Sequence, residues 1–451
     1  MTRLPQNYPL LLFKESQIIL RLAIPVMVAQ VGQNLMTFVD TVMVGHYNAQ
    51  HLAAIAAGTM LVFPFQVFAN GILIALSAIV AQFYGLGERP AIAAYVHQSL
   101  YLSQFIALPI VLIVRQLSPI LSWMGTEPEV VAIADGYIKA ISWGLPAAFA
   151  FMALRLFNEG IGIMKPGMYF TLVALGCNIV GNSVLIYGRF GFPALGAVGA
   201  GWSTAAAWWI MLACMSVYVG FNRQLKPFNL LRLDRPNARK LLDLLKVGLP
   251  IGLSTVLEVG MFAATTLLIG GLGTNVLAGH QVALNVAAMT FMVPLGLSIV
   301  TTVRVGQLVG QGNFIDARFS GLTSLLISVA IMISASLVLI CFPRVIAGLY
   351  TNDPQVKVVA VKLLMMAALF QIFDGLQVVA IGALRGLKDT RMPLLFNLIS
   401  YWMVGLPIGY CLGIIGPFGA QGLWAGFIAG LLVSACLNNI RFFRLTWQLN
   451  P

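Results

Sequence analysis

The chain has 451 residues, of which 59% are hydrophobic and 9% are charged, and its formal net charge is +12 at pH 7. Because a soluble domain carries about 25% charged residues, this composition excludes a soluble globular protein. The apolar stretches extend for about 20 residues or more, which favours membrane-spanning helices over a barrel of short alternating strands.

Twelve apolar segments are long enough to cross a bilayer, and they predict an all-α integral membrane protein. They lie near residues 17–44, 52–80, 93–115, 133–157, 167–187, 195–221, 243–270, 277–303, 318–342, 358–383, 393–413 and 420–442. Prolines inside these spans or near their ends predict bent helices. They are Pro25, Pro64, Pro146, Pro250, Pro294 and Pro407.

The chain repeats itself at a separation of 225 residues, with Pro25 matching Pro250. Further matches in the same register are Leu52-Ala53 with Leu277-Ala278, Gly71 with Gly296, Ile74 with Ile299, and Gln82, Gly85 and Gly87 with Gln307, Gly310 and Gly312. The repeat predicts two pseudo-symmetric bundles of six helices, an N-lobe at 1–221 and a C-lobe at 243–451, joined by a basic linker at 222–242. Two similar halves are typical of transporters with a site between them, although inert scaffolding can also be duplicated.

Basic residues are distributed unevenly between the spans. If the N-terminus is cytoplasmic, most of the 26 lysine and arginine residues lie on the cytoplasmic side, as the positive-inside rule requires. The exceptions are Arg115, Lys139, Arg189, Arg344, Lys357 and Lys362. We therefore predict that both termini are cytoplasmic and that the basic linker reflects topology rather than nucleic-acid binding.

Only three of the 14 acidic residues fall inside spans in this interpretation, and the others, including Glu15 and Glu159, are assigned to loops or helix ends. Glu258 lies 12 residues after Lys246, which at 1.5 Å per residue places it near the middle of the membrane. Asp374 lies at a similar depth, and Asp40 lies in the outer half of the first span. A carboxylate at the bilayer centre costs roughly 2.5–3.5 kcal/mol, and no lysine or arginine is apparent at matching depth to pair with it.

These three acids are the candidate cation-coupling residues, and the alternative is a neutral, hydrogen-bonded carboxyl group. Sodium requires several oxygen ligands, which the carboxylates of Glu258 and Asp374 could begin to supply, whereas a proton requires one carboxylate. Candidate accessory polar residues are Gln33, Asn34, Ser254, Gln371 and Gln377. The acids do not follow the repeat, since Glu258 corresponds to Gln33 and Asp40 to Thr265.

Aromatic and methionine side chains could line a cavity for a bulky apolar cation, because aromatic faces attract cations and methionine adapts to varied shapes. The candidates are Met36, Phe38, Met261, Phe262, Phe291 and Met292. Core packing or lipid contact is the alternative role for such residues. No glycine-rich phosphate loop with a following lysine, metal cluster or nucleophile–base pair is apparent, so we predict neither an enzyme nor a bound cofactor.

Several segments together resemble the MATE family of multidrug and toxin extrusion transporters, in its NorM-type bacterial branch. They are Phe38-Val-Asp-Thr-Val-Met-Val-Gly45, Leu52-Ala-Ala-Ile-Ala56, Leu249-Pro-Ile-Gly-Leu253, Val303-Arg-Val-Gly306, Tyr350-Thr-Asn-Asp-Pro354, Phe370-Gln-Ile-Phe-Asp374 and Leu384-Arg-Gly-Leu-Lys-Asp-Thr390. The resemblance covers essentially the whole chain.

The resemblance implies a multi-pass protein of the bacterial inner membrane that exports cationic, lipophilic drugs and dyes against inward Na⁺ or H⁺. It maps the family's cation site onto Glu258 and Asp374, its first-lobe acid onto Asp40, and a further acidic position onto Asp353. Several relatives carry tyrosine where this chain has Phe370, which removes one oxygen ligand and leaves Na⁺ and H⁺ both open. The resemblance requires no more than a monomer.

A flippase for lipid-linked precursors is the main alternative, because it can share a two-bundle architecture. Such a protein should place cationic side chains in its central cavity to bind pyrophosphate. A channel without coupling is a further alternative, which would show no uphill movement of substrate.

Overall fold

The computed structural model describes residues 8–230 and 234–448, and within these ranges the secondary structure is helical, without a β-strand. The first half contains α1 (Tyr8–Gly45), α2 (Ala49–Leu86), α3 (Arg89–Val114), α4 (Ser118–Trp123), α5 (Pro128–Ser142), α6 (Leu145–Gly160), α7 (Lys165–Leu185) and α8 (Ala197–Phe221). The second half contains α9 (Ala238–Gly270), α10 (Thr274–Gly310), α11 (Phe314–Cys341), α12 (Pro343–Tyr350), α13 (Pro354–Gly386), α14 (Arg391–Asn397), α15 (Leu406–Tyr410) and α16 (Gly419–Gln448). Two π-helical segments, Leu398–Gly405 and Cys411–Ile415, flank α15.

The predicted spans are confirmed, with one of them broken into two helices. Eleven helical segments in the described ranges are long and apolar enough to cross a membrane, and α5 and α6 form a twelfth as a pair bent by 41°. The break lies at Trp143 and Gly144, directly before Leu145-Pro146 at the start of α6. Proline cannot donate the backbone hydrogen bond that would join the two helices smoothly.

The described residues pack into two compact units. The N-unit contains Val28–Gly252, and the C-unit contains the residues up to Met27 and from Leu253 onward. Each boundary lies two residues after a repeated proline, Pro25 or Pro250, inside a continuous helix. The units therefore differ from the predicted lobes, which are separated at the basic linker. The reason is that the first turns of α1 pack in the C-unit and the first turns of α9 pack in the N-unit.

Glycines allow this packing at equivalent places in the two units. A Cβ atom at Gly71 of α2 would lie 2.5 Å from the Cα atom of Gly252 in α9. A Cβ atom at the repeat-related Gly296 of α10 would lie 2.7 Å from Cγ of Met27 in α1. The repeat in the sequence therefore corresponds to a repeated helix contact.

The sequence also predicts short glycine turns between helices at Gly85-Leu-Gly-Glu88 and Gly310-Gln-Gly-Asn313, and the structure confirms both. Gly87 follows α2 with φ 77°, and Gly312 follows α10 with φ 75°. Gly196 and Gly419, which begin the last long helix of each half, have φ 56° and 54°. These left-handed conformations favour glycine because a Cβ atom would be strained there.

Candidate cation sites

Asp40 lies in the N-unit at the centre of a group of buried polar side chains from α1, α7 and α8. Its Oδ1 atom accepts hydrogen bonds from Nδ2 of Asn182 at 2.6 Å and from Nδ2 of Asn178 at 3.1 Å. Its Oδ2 atom accepts one from Oγ1 of Thr204 at 2.7 Å. The four side chains are nearly inaccessible to solvent, with Asp40 5% exposed. Three neutral donors thus bond the two oxygens of one carboxyl group, which can accept about four hydrogen bonds.

The local sequence explains how α7 supplies two of these donors. Asn178 and Asn182 are four residues apart, so they lie on the same face of a regular α-helix. Asn178 also donates to Oγ1 of Thr204 at 3.1 Å, and Oγ of Ser203 donates to the main-chain oxygen of Asn178 at 3.0 Å. The group is therefore fixed by its own hydrogen bonds as well as by Asp40.

Glu258 lies in the C-unit on α9 and is hydrogen-bonded to Tyr401 and Gln377. The side-chain amide of Gln377 also donates to the hydroxyl of Tyr401. Gln377 and Tyr401 are buried, at 0% and 2% exposure. The three side chains therefore form a closed triangle between α9, α13 and the first π-helix.

Asp374 is 5% exposed and lies on α13, one turn before Gln377. The charge of Glu258 acts on Asp374, and the charge of Asp374 acts on Tyr401. The three side chains therefore lie close together. The structure thus brings together the two acids that the sequence predicted in the C-lobe. Two neighbouring carboxylates repel one another, and an added cation relieves that repulsion.

Arg385 adds a basic residue to the surroundings of Glu258, although the sequence shows no lysine or arginine at matching depth to pair with the acids. It is at the C-terminal end of α13, and its charge interacts with that of Glu258. Its Nε atom is buried without a hydrogen-bond partner. The guanidinium of Arg385 therefore offsets part of the charge of Glu258 when that carboxyl group is ionised.

Ion pairs hold two further acids, Glu159 and Glu15. Glu159 lies at the C-terminal end of α6, as expected, and its Oε1 lies 2.6 Å from Nε of Arg155, with both side chains almost fully buried. Glu15 corrects the expectation that it lies in a loop or at a helix end. Glu15 lies within α1, where Arg304 of α10 contacts both carboxylate oxygens at 2.8 and 3.0 Å. These acids are paired structural groups and are not available to a coupling cation.

The accessory polar residues divide between the sites and the core. Ser254, one turn before Glu258, accepts a hydrogen bond from Nδ2 of Asn397 at 2.8 Å, and Asn397 accepts one from Ser434 at 2.8 Å. Gln371 is 2% exposed, and neither polar atom of its side chain has a hydrogen-bond partner. Gln33 is half-buried and Asn34 is exposed, and the group around Asp40 includes neither of them.

The residues proposed to line a drug cavity are scattered. Met36 and Met261 are buried, at 4% and 3% exposure, in the cores of the N-unit and the C-unit. Phe38 is 62% exposed. The half-buried members are Phe262, Phe291 and Met292. The drug cavity therefore stays a prediction, and the two buried methionines lie inside packed cores in this conformation.

Asp353 and Phe370 have structural roles, Asp353 as a helix cap and Phe370 in an aromatic cluster. The carboxylate of Asp353 caps the start of α13, where Oδ1 accepts the backbone N–H groups of Gln355 and Val356 at 2.8 and 3.4 Å. Phe370 is 3% exposed and packs against the rings of Trp424 and Phe427 at centroid distances of 5.6 and 6.1 Å.

Sequence reasoning missed several residues of these sites. Asn178, Asn182 and Thr204 are polar residues in apolar spans, and the spacing of the two asparagines was a signal that could have been used. For Tyr401 the sequence gives no signal, because the side chain reaches Glu258 from a π-helix. π-Helical turns are rare and often occur at functional sites.

Two helical units related by an internal repeat, each with acids buried in membrane-spanning helices, define a multi-pass membrane transporter fold. A family model described as MatE matches residues 25–184 and 250–411, so that its two segments begin at the repeated prolines. The chain is 38% identical over 433 residues to "Multidrug resistance protein NorM" of Photobacterium profundum, covering 95% of each chain.

Solved structures share the fold. The eukaryotic MATE transporter AtDTX14 matches with a TM-score of 0.88 at 19% identity, covering 97% of this chain and 98% of that chain. A MATE structure in the straight conformation matches with a TM-score of 0.88 at 21% identity, covering 96% of this chain and 97% of that chain. The chain belongs to the MatE family and is a MATE transporter of the NorM type.

Proposed function

We propose that this transporter exports cationic, lipophilic drugs and dyes in exchange for inward Na⁺ or H⁺. The observation that carries the proposal is the pair of Glu258, which is half-buried, and Asp374, which is buried, in the C-unit; the charges of the two groups interact. Acids at membrane depth mark ion pathways because holding an uncompensated charge there is costly. The multidrug resistance named for the NorM relative supports drugs as the substrate class.

Alternating access would couple the two movements. In the outward-facing state the coupling cation binds Glu258 and Asp374, which favours release of the drug. In the inward-facing state the cation leaves, and a positively charged drug enters the cavity. Because both cargoes are positively charged, the buried carboxylates make their occupancies compete.

Asp40 is the second coupling candidate, and it sits in a different setting. Its carboxylate is already held by Asn178, Asn182 and Thr204. A cation at Asp40 would have to replace or share those donors. We therefore assign the main coupling role to Glu258 and Asp374 and an auxiliary role to Asp40.

The remaining features of the proposal follow from topology and family. The transporter would lie in the bacterial inner membrane with both termini in the cytoplasm, and it would act as a monomer. Among the described residues, the almost fully buried Arg155 is paired with Glu159, and the charge of Arg385 acts on Glu258. Neither guanidinium is without a neighbouring acid, which disfavours the flippase alternative, since a pyrophosphate site needs available cations.

The proposal is tested with purified protein in liposomes, by following ethidium while a Na⁺ gradient and a pH gradient are imposed separately. Uphill ethidium movement under either gradient supports coupled export. Glu258→Gln and Asp374→Asn should each abolish it, whereas Asp353→Asn, at a helix cap, should not. Wild-type protein that moves ethidium only downhill would contradict the proposal, and movement of an isoprenoid pyrophosphate instead would favour the flippase.

A further inference from the structure

Tyr401 is a buried phenol that is aimed at the carboxylate of Glu258. We propose that Tyr401 is a positioning residue that holds Glu258 for Na⁺, and that the side-chain oxygen of Gln377 is an additional Na⁺ ligand. This inference rests on the proposed antiport and adds to it the identity of the coupling ion and two roles at its site.

The hydrogen bonds around Tyr401 have a defined direction. The amide nitrogen of Gln377 donates to the phenol oxygen of Tyr401, so the phenol hydrogen remains free to donate to Glu258. Gln377 also hydrogen-bonds Glu258 itself. Both neutral side chains thus fix the orientation of one carboxylate, which is what a cation site with a defined geometry requires.

The oxygen of the Gln377 amide provides the second, independent observation. Gln377 is 0% exposed, and its Oε1 atom has no hydrogen-bond partner. A buried polar atom without a partner calls for an explanation, and a bound ion is one such explanation. Since the amide nitrogen is engaged by Tyr401, the amide oxygen is left for a cation, for which oxygen is the suitable ligand.

The first π-helix brings Tyr401 to this position. The next residue, Trp402, donates its Nε1–H group to the main-chain oxygen of Leu257 at 3.1 Å, directly before Glu258. A Cβ atom at Gly260 would lie 3.2 Å from the ring of Trp402. The side chains of Tyr401 and Trp402 therefore contact the same turn of α9. Tyr401 bonds the side chain of Glu258, and Trp402 bonds the main-chain oxygen of Leu257.

The arrangement also supplies a hydroxyl group that Phe370 lacks. Phe370 packs in an aromatic cluster with Trp424 and Phe427, where it offers no oxygen. Tyr401 offers a phenol to the same pair of acids from another helix. The loss of an oxygen at position 370 therefore does not leave the carboxylates without a phenol.

The test measures ethidium export from liposomes at fixed pH as a function of Na⁺ concentration. Tyr401→Phe should raise the half-saturating Na⁺ concentration about tenfold, since hydrogen bonds to charged groups are the stronger ones. The KM for ethidium at saturating Na⁺ should not change. The matched control is Tyr410→Phe, a half-exposed tyrosine on the same span, which should behave as wild type.

Gln377→Met gives an independent test, because it removes the candidate oxygen ligand and keeps the side-chain volume. It should also raise the half-saturating Na⁺ concentration about tenfold, and combined with Tyr401→Phe it should have less than the product of the single effects, because the two groups contact each other. If Tyr401→Phe does not yield folded protein, Gln377→Met carries the test.

The outcomes separate this inference from the proposed function. Ethidium export driven only by a pH gradient would leave the exporter standing and overturn the Na⁺ site. Na⁺-driven export with Tyr401→Phe equal to Tyr410→Phe would overturn the role of Tyr401 alone. No uphill movement by wild-type protein under either gradient would overturn the proposed function together with this inference.

Discussion

The two units both bury acids in membrane-spanning helices, but they stabilise them in different ways. In the N-unit the candidate coupling acid, Asp40, accepts hydrogen bonds from three neutral side chains. In the C-unit, Glu258 and Asp374 lie close enough for their charges to interact. A carboxylate with three hydrogen-bond donors is held by the protein itself, whereas a pair of carboxylates gains most from an added cation. The comparison therefore assigns a mainly structural role to Asp40 and a role in ion exchange mainly to Glu258 and Asp374.

The largest expected effect is on transport by Asp374→Asn. The amide keeps the volume of the side chain but removes one of the two charges that hold the cation. Uphill ethidium export should fall by roughly 100-fold or more, which corresponds to about 2.7 kcal/mol of lost cation binding. The melting temperature of the purified protein should not fall, because a repulsion between like charges is removed. A lower melting temperature of Asp374→Asn together with normal ethidium export would show that Asp374 has a structural role and not a role in ion exchange.

Asp40→Asn should have the largest effect on stability. The new amide places a donor where Asn178, Asn182 and Thr204 already donate. Leaving a buried donor unsatisfied costs about 1–3 kcal/mol, so the variant should melt at a clearly lower temperature than wild type or Asp374→Asn. Thermal unfolding followed by size-exclusion chromatography measures this difference. Equal melting of Asp40→Asn and wild type would show that the three donors do not hold the N-unit site together.

The repeated glycine contacts allow the packing of the two units to be compared by variants that leave the acids unchanged. Gly71→Ala should destabilise the protein by about 1–3 kcal/mol, because its Cβ atom would meet the backbone of Gly252 at 2.5 Å. Gly296→Ala should cost less, because the nearest backbone atom, N of Met27, would lie at 3.0 Å and the nearest atom, at 2.7 Å, is Cγ of the Met27 side chain. Both are measured by thermal unfolding in the same detergent.

Gly176→Ala is the matched control for these two variants. Gly176 lies in α7 with no atom within 4 Å of an added Cβ atom. Alanine in a helix is favoured over glycine by roughly 0.5–1 kcal/mol, so this variant should be as stable as wild type or slightly more stable. If Gly71→Ala matched Gly176→Ala, the close packing of α2 on α9 would not be a constraint on the N-unit.

Asp353→Asn should have the smallest effect. Aspartate and asparagine are about equally good at capping the start of a helix, so stability should change by no more than a few tenths of a kcal/mol. Ethidium export and its dependence on the driving cation should match wild type. A loss of export without a loss of stability would mean that Asp353 handles cations, and the assignment of that role to Glu258 and Asp374 alone would be wrong.

The fold was predictable because membrane-spanning helices satisfy their own backbone hydrogen bonds, so length and hydropathy are sufficient to find them. The repeat added the two halves and the glycine turns at Gly87 and Gly312. Hydropathy does not show which helices pack against each other. The packing of the first turns of α1 in the C-unit, and of α9 in the N-unit, depends on contacts between residues far apart in sequence.

The candidate sites were predictable only in part, for a related physical reason. Depth along a helix follows from residue number, so Glu258, Asp374 and Asp40 could be placed in the membrane. The face that a side chain presents depends on helix packing and, for Tyr401, on a π-helical turn that no residue pattern marks. Arg385 was overlooked because its place near a helix end concealed its interaction with Glu258.

The helices that continue through both unit boundaries have a consequence for the origin of this chain. The first turns of α1 complete the C-unit, where Ile19 and Ala23 are fully buried, and the first turns of α9 complete the N-unit, where Leu244 is fully buried. Such a reciprocal exchange of equivalent segments is the geometry of a domain-swapped homodimer. Joining two copies of an ancestral half through a linker would preserve that exchange within one polypeptide. Neither half on its own would then contain all the segments of a complete unit, so two separately expressed halves should become stable only when they are made together.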